Sequence, residues 1–148
     1  MHNGYRERQI TQAEYDNLRS KTPSRAIQKS VNKDVSLTMK DLALPNLTID
    51  KNLPADHIVS MDEITRMEGF GKLTQKQQLE VLNNEKNFIG LSATANTSKG
   101  SKSFVEWTEY KKEKIKVDET FRQEMIENQK NLKIELQEQI NNFLKGEQ

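Results

Sequence analysis

The final third of the chain carries the pattern that most restricts its fold. In "VDETFRQEMIENQKNLKIELQEQINNFLKG" the residues Phe121, Met125, Leu132, Leu136, Ile140 and Phe143 recur in helical register, so they line one face of a long α-helix. Such a helix needs a partner surface along its whole apolar stripe. Its polar face mixes both charge signs instead of being uniformly basic, which favours a face packed on a core over a membrane anchor. A partner-binding helix is the alternative.

Material to cover that stripe is limited. Of 148 residues, 33% are hydrophobic and 30% are charged, which suits one domain with a thin core inside solvated helices. No apolar run approaches the roughly 20 residues needed to span a bilayer, so no membrane partner is expected. The opening "MHNGYRERQI" lacks the apolar centre of a secretory signal peptide. There is no cysteine, which excludes disulfides, thiolate nucleophiles and cysteine zinc sites. Net charge is +1. A mild basic excess over residues 1–55 fits either steering of a nucleic acid or an ordinary mixed surface.

Residues 1–10 read as a tail or linker remnant, and residues 11–148 as one domain. Thr11 with Glu14 forms a capping-box pattern that opens a helix through about Ser20. A second helix starts near Pro23, with Ala26, Ile27 and Val31 on its apolar stripe. From Val35 to Pro54 the pattern is irregular and reads as a loop wrapping the core. "ADHIV" and "NFIGLS" are strand candidates, separated by the short helices "SMDEITRM" and "TQKQQLEVLN", the latter capped by Thr74 and Gln77. "ATANTSK" is helix-compatible and ends at Gly100. "SFVEWTEYKKEK" reads as a further helix, giving a helical C-terminal extension over 104–146.

The stretch "PADHIV" contains one of only two histidines. Phosphodiester hydrolysis needs a base for the attacking water and positive charge for the phosphoryl and leaving oxygens, commonly a divalent cation. His57 suits the first task through its near-neutral pKa. Asp56 offers a hard oxygen for the second. Asn96 supplies another oxygen if the helix after the second strand packs across the hairpin bearing Asp56 and His57. Lys99, one turn later on that face, is a phosphate contact by spacing, with Lys102 and Arg25 as further candidates and Arg19 also within reach of a phosphate. Asn87 opens the second strand and ties the connecting loop through its amide. Neighbours in a flat strand point to opposite faces, so the strand must twist or end at His57. Pro54 favours such an ending.

The order D-H-I-V, an asparagine opening an apolar strand and a second asparagine inside "NFIGLSATANTSKGSK" resembles the HNH branch of the His-Me finger (ββα-metal) nucleases. Within that branch, "ADHIVSM" and "GFGKLTQKQQLEVLNNEKNFIGLSATANTSKGSKSFVEW" are similar to the C-terminal nuclease domains of bacterial polymorphic toxins, the cargo ends of LXG- and Rhs-type effectors. The resemblance covers roughly Pro54 to Tyr110. It implies an α+β fold, with a ββα-metal core at about 54–103 (a two-stranded hairpin plus a cross-helix) embedded in a mostly helical domain. It further implies His57 as general base, Asp56 and Asn96 as ligands of one divalent cation (Mg2+, with Mn2+ the alternative), and Asn87 as the loop-positioning asparagine. Many relatives have proline where this chain has Ser60, and histidine where it has Asn96; the latter shifts the site toward oxygen-preferring metals.

The function implied is a metal-dependent DNA endonuclease, a secreted effector acting in the cytoplasm of a target bacterium. It would be monomeric and neutralised by a cognate immunity protein. The opening on "MHNGYRERQ" reads like an excised fragment of such a toxin. A phage or restriction-type HNH enzyme, an RNA-cleaving variant and a degenerate nuclease fold serving as a binding module are the rival readings. Phe104, Trp107 and Tyr110 read as core, with base stacking the alternative, and Asp62 and Glu63 as a solvated helix start.

Overall fold

The computed structural model describes residues 7–146. Most of the expected tail lies outside these residues, but its end does not. Ile10 is buried in the core, Arg8 pairs with Asp62, and Gln9 lies so close to Gly71 that a side chain there would collide with it. Residues 8–10 therefore belong to the body of the domain.

Among the described residues the fold is α+β, with six α-helices and two small antiparallel sheets. Helix α1 spans Gln12–Arg19, and the capping box of Thr11 and Glu14 satisfies its first free amides. Ser24 caps α2 (Arg25–Ser30), which turns Ile27 inward; Ala26, expected on the same stripe, is exposed. The irregular segment that follows packs Ala43, Leu44, Ile49 and Leu53 into the interior. Its turn is held by the buried Asp41 carboxylate, which accepts hydrogen bonds from the Ala43 and Leu44 amides.

Strand β1 (Ala55–His57) pairs with β2 (Phe88–Gly90), with His57 opposite Phe88 and Asp56 opposite Ile89. Between them lie α3 (Met61–Thr65), a 3-10 turn at Phe70–Lys72, and α4 (Gln75–Leu82), which opens on the capping box of Thr74 and Gln77. Helix α5 (Ala93–Lys99) starts from Ser92 directly after β2 and stops at Gly100, whose φ of 56° suits glycine. Ser60, where proline was the alternative, caps α3 by accepting from the Glu63 amide.

The stretch expected to continue as helix from Phe104 instead forms a hairpin, with β3 (Glu109–Tyr110) paired to β4 (Ile115–Lys116). Phe104 and Trp107 are buried, and their three-residue spacing imitates a helical stripe, but a turn places both in the core. The helical C-terminal extension is thus one helix, α6, over Glu119–Leu144. Its inner face is Phe121, Met125, Gln129, Leu132, Leu136 and Ile140, with Phe143 partly buried at the end. Leu136 and Ile140 have no exposed area; full burial of such side chains stabilises by about 1.5–3 kcal/mol each. No helix among the described residues is long and apolar enough to cross a membrane.

Candidate active site

Strand β1 is three residues long, and that shortness decides where its side chains go. The ladder ends at His57, and the next amide, Ile58 N, donates to the Asn87 carbonyl at 2.8 Å. Asn87 has no exposed area; its side-chain oxygen accepts from Val59 N at 2.8 Å, and its amide nitrogen donates to Val59 O at 3.0 Å. One asparagine thus satisfies both buried backbone groups of Val59 and bends the chain out of the sheet. Ala55, Asp56 and His57 all line one cleft of about 590 Å³. Alternation in a long flat strand would have separated Asp56 from His57.

Helix α5 forms an adjoining wall. Ala95 is fully buried, whereas Asn96 and Lys99 line the cleft, followed by Gly100 and Ser101. The Lys99 ammonium lies 3.1 Å from Asp56 Oδ2 and 4.9 Å from the centroid of the Phe104 ring. Lys99 is only 5% exposed. Burial pushes the Asp56 carboxyl above its ordinary value, while the close ammonium of Lys99 and the charge of Arg19 pull the other way.

His57 sits against Phe88, ring centroids 4.3 Å apart. Its Nε2 lies 2.9 Å from the Leu82 carbonyl and 3.2 Å from Thr22 Oγ1. A carbonyl only accepts, so Nε2 carries the proton and Nδ1 is left with a free lone pair. The Thr22 hydroxyl donates to Asn83 Oδ1 at 2.7 Å, leaving its own lone pair to receive Nε2–H. Burial depresses the His57 pKa to about 4; the Leu82 hydrogen bond opposes this, and the charges of Arg19 and Lys99 add to it. The imidazole is therefore neutral at neutral pH.

The sequence-derived residues divide as follows. Asp56, His57, Asn96 and Lys99 share the cleft, and Asn87 lies behind it. Lys99 faces a carboxylate, where a free phosphate contact was expected. Lys102 lines a separate groove with Trp107 and Tyr110, and Arg25 is exposed away from the cleft. Lys102 lies past the end of α5, so helical spacing no longer places it with Asn96, and Arg25 is turned outward at the start of α2. Neither lines this cleft.

Arg19, named in the sequence only as within reach of a phosphate, also lines the cleft, and so do Tyr15 and Thr22, which the sequence did not single out. They arrive from α1 and the turn after it, clamped to the end of α4 by Asn83, whose Oδ1 accepts from Thr22 Oγ1 and Ser24 N. The four-residue step from Tyr15 to Arg19 puts both on one helix face, the one local signal available. Asp62 also lines the cleft, bound to Arg8 and Arg66, while Glu63 pairs with Lys133 at 3.0 Å.

For a metal, the described residues hold no group of three or more His, Asp or Glu side chains. Asp62 is taken up by Arg8 and Arg66, so what the cleft offers is the Asp56 carboxylate and the Asn96 amide. Asp56 Oδ2 is buried and, although close to Lys99, accepts no well-directed hydrogen bond. Such a donor set fits a hard, oxygen-seeking cation that keeps several waters and leans on substrate phosphate, as magnesium does. No protein-family model, curated protein or solved structure matches this chain.

Proposed function

We propose that the protein is a metal-dependent endonuclease of the HNH, ββα-metal type, with β1, β2 and α5 as the finger. The reading is supported above all by one observation: a histidine whose Nε2 is committed to a carbonyl shares a cleft with the carboxylate beside it in β1 and an amide from α5. The resemblance of "DHIV" and "NFIGLSATANTSKG" to that family points the same way.

His57 takes a proton from water at Nδ1, while Leu82 and Thr22 hold the ring in the tautomer this requires. Asp56 and Asn96 are the residues that would hold a divalent cation. When bound, that cation supplies charge stabilisation at the phosphoryl and leaving oxygens. Arg19, which also lines the cleft, offers a guanidinium to a flanking phosphate. Asn87 acts at a distance from the chemistry by fixing the exit of β1. DNA is the proposed substrate, and the toxin role, the action in a target bacterium and the immunity protein follow from the likeness to polymorphic-toxin domains.

A second reading has one observation in its favour. The Lys99 ammonium on Asp56 neutralises the carboxylate without any metal, as a binding module on a degenerate nuclease scaffold would. Plasmid nicking in magnesium decides between them. His57→Ala is expected to lower the rate by about 10²–10⁴ with circular dichroism unchanged; nicking at the wild-type rate would remove the catalytic assignment.

A further inference from the structure

We propose that Lys99 is the resident cation of Asp56, and that a divalent ion loads the cleft by displacing the Lys99 ammonium from that carboxylate. This rests on the metal-site reading above and adds to it a built-in competitor for the metal.

Lysine is rarely buried without a partner, and here its partner is unambiguous. Nζ lies 3.1 Å from Asp56 Oδ2, an oxygen with essentially no exposed surface. The far side of the ammonium faces the Phe104 ring, whose electron-rich face favours a cation. The helix stops at Gly100 immediately after Lys99, so the base of the side chain is fixed at the end of α5. Without a metal, Lys99 spares the protein an uncompensated buried carboxylate. With one, two cations would share a single carboxylate and repel each other. The divalent ion must therefore outcompete an ammonium, and its apparent affinity is lowered by that competition. The displaced ammonium stays within the same cleft, where Asn96 and Arg19 also face, and becomes free to meet a phosphate oxygen.

The test is Mn2+ binding to the full chain near neutral pH, measured by electron paramagnetic resonance for wild type, Lys99→Met, Lys99→Arg and Asp56→Asn. Methionine keeps the unbranched stem over Phe104 and removes the charge. Lys99→Met is expected to bind at least about tenfold more tightly, Lys99→Arg near wild type, and Asp56→Asn far more weakly. An affinity for Lys99→Met equal to or below wild type, with Asp56→Asn still impaired, would overturn the displacement while leaving the metal site standing. Loss of the metal site itself has a different signature: Asp56→Asn binds as wild type does, or no variant takes up Mn2+, and the proposal falls with it. A titration of unmutated protein needs no variant to fold. The 15N signal of the Lys99 ammonium should shift with Mg2+ at the midpoint of binding, and a signal that stays in place at saturation refutes the displacement.

Discussion

The two small sheets are built on opposite plans. Strands β3 and β4 are joined by a short turn and pair two residues each, a local structure closed by neighbours in sequence. Strands β1 and β2 are separated by two helices and meet only because α3 and α4 fold back between them. The local hairpin carries scaffold: Tyr110 and Ile115 pack against the core, and Ser98 Oγ accepts from the indole nitrogen of Trp107 at 2.9 Å. The long-range pair carries Asp56 and His57. Its loop-closure entropy is higher, and the side-chain bonds that hold its exit are correspondingly specific. The candidate site sits where distant segments converge.

Breaking that convergence should have the largest effect on stability. Asn87→Ala strands the Val59 amide and carbonyl, both buried. At about 1–3 kcal/mol per unsatisfied group, a loss of about 2–4 kcal/mol in urea unfolding is expected. That is a large share of the stability of a small domain. A change below about 1 kcal/mol would mean that water reaches Val59 and that Asn87 does not hold the strand exit.

Arg19→Ala tests the part of the cleft that α1 contributes. If the cleft takes DNA as proposed, losing the Arg19 guanidinium is expected to raise KM several-fold with little change in kcat, and to reduce the salt slope of DNA binding by about one. An unchanged slope in binding isotherms taken with His57→Ala protein, which does not consume the DNA, would remove Arg19 from the substrate surface.

The local hairpin can be strengthened instead. Lys114, in the turn between β3 and β4, has φ of 54°, a left-handed conformation that costs a non-glycine residue about 1–2 kcal/mol. Lys114→Gly relieves that cost but enlarges the freedom of the unfolded chain, so a net gain of about 0.5 kcal/mol is expected in thermal unfolding. Nicking activity should be unaffected, since Lys114 is not part of the cleft.

What the sequence revealed follows the same division between local and distant. The capping boxes at Thr11 and Thr74 were legible because every atom involved lies within four residues. The stripe of α6 was legible because it repeats over 26 residues. The β3–β4 hairpin was not, because two-residue strands are too short to show alternation and Phe104 and Trp107 share a helical spacing by coincidence of the turn. Asn96 and Lys99 could be set on one helix face, but that Lys99 turns to Asp56 depends on how α5 meets β1. Thr22 is held at the cleft by Asn83 at the end of α4, a contact no local pattern announces.

The smallest expected effect lies at the rim, where residues 8–10 attach beside the exit of β1. Asp62 accepts hydrogen bonds from Arg8 and, at 3.1 Å, from Arg66 Nε, and the Arg8 guanidinium covers the Tyr15 ring at 3.9 Å. Partial burial favours the neutral acid, but the hydrogen bonds and charges of the two arginines outweigh it and hold the carboxyl below its ordinary 3.8. A depressed pKa means that the folded state binds its proton less readily than the unfolded state does. The stabilisation is therefore complete above pH 3.8 and is lost as pH falls through the lower folded value. With the side chain 43% exposed, solvent screening keeps the contribution below about 1 kcal/mol. Asp62→Asn should be slightly less stable than wild type at neutral pH, and the two unfolding curves should converge below pH 3.8. A gap that persists unchanged into that range would show that Asp62 acts by packing and that its charge does not help to hold the N-terminal segment.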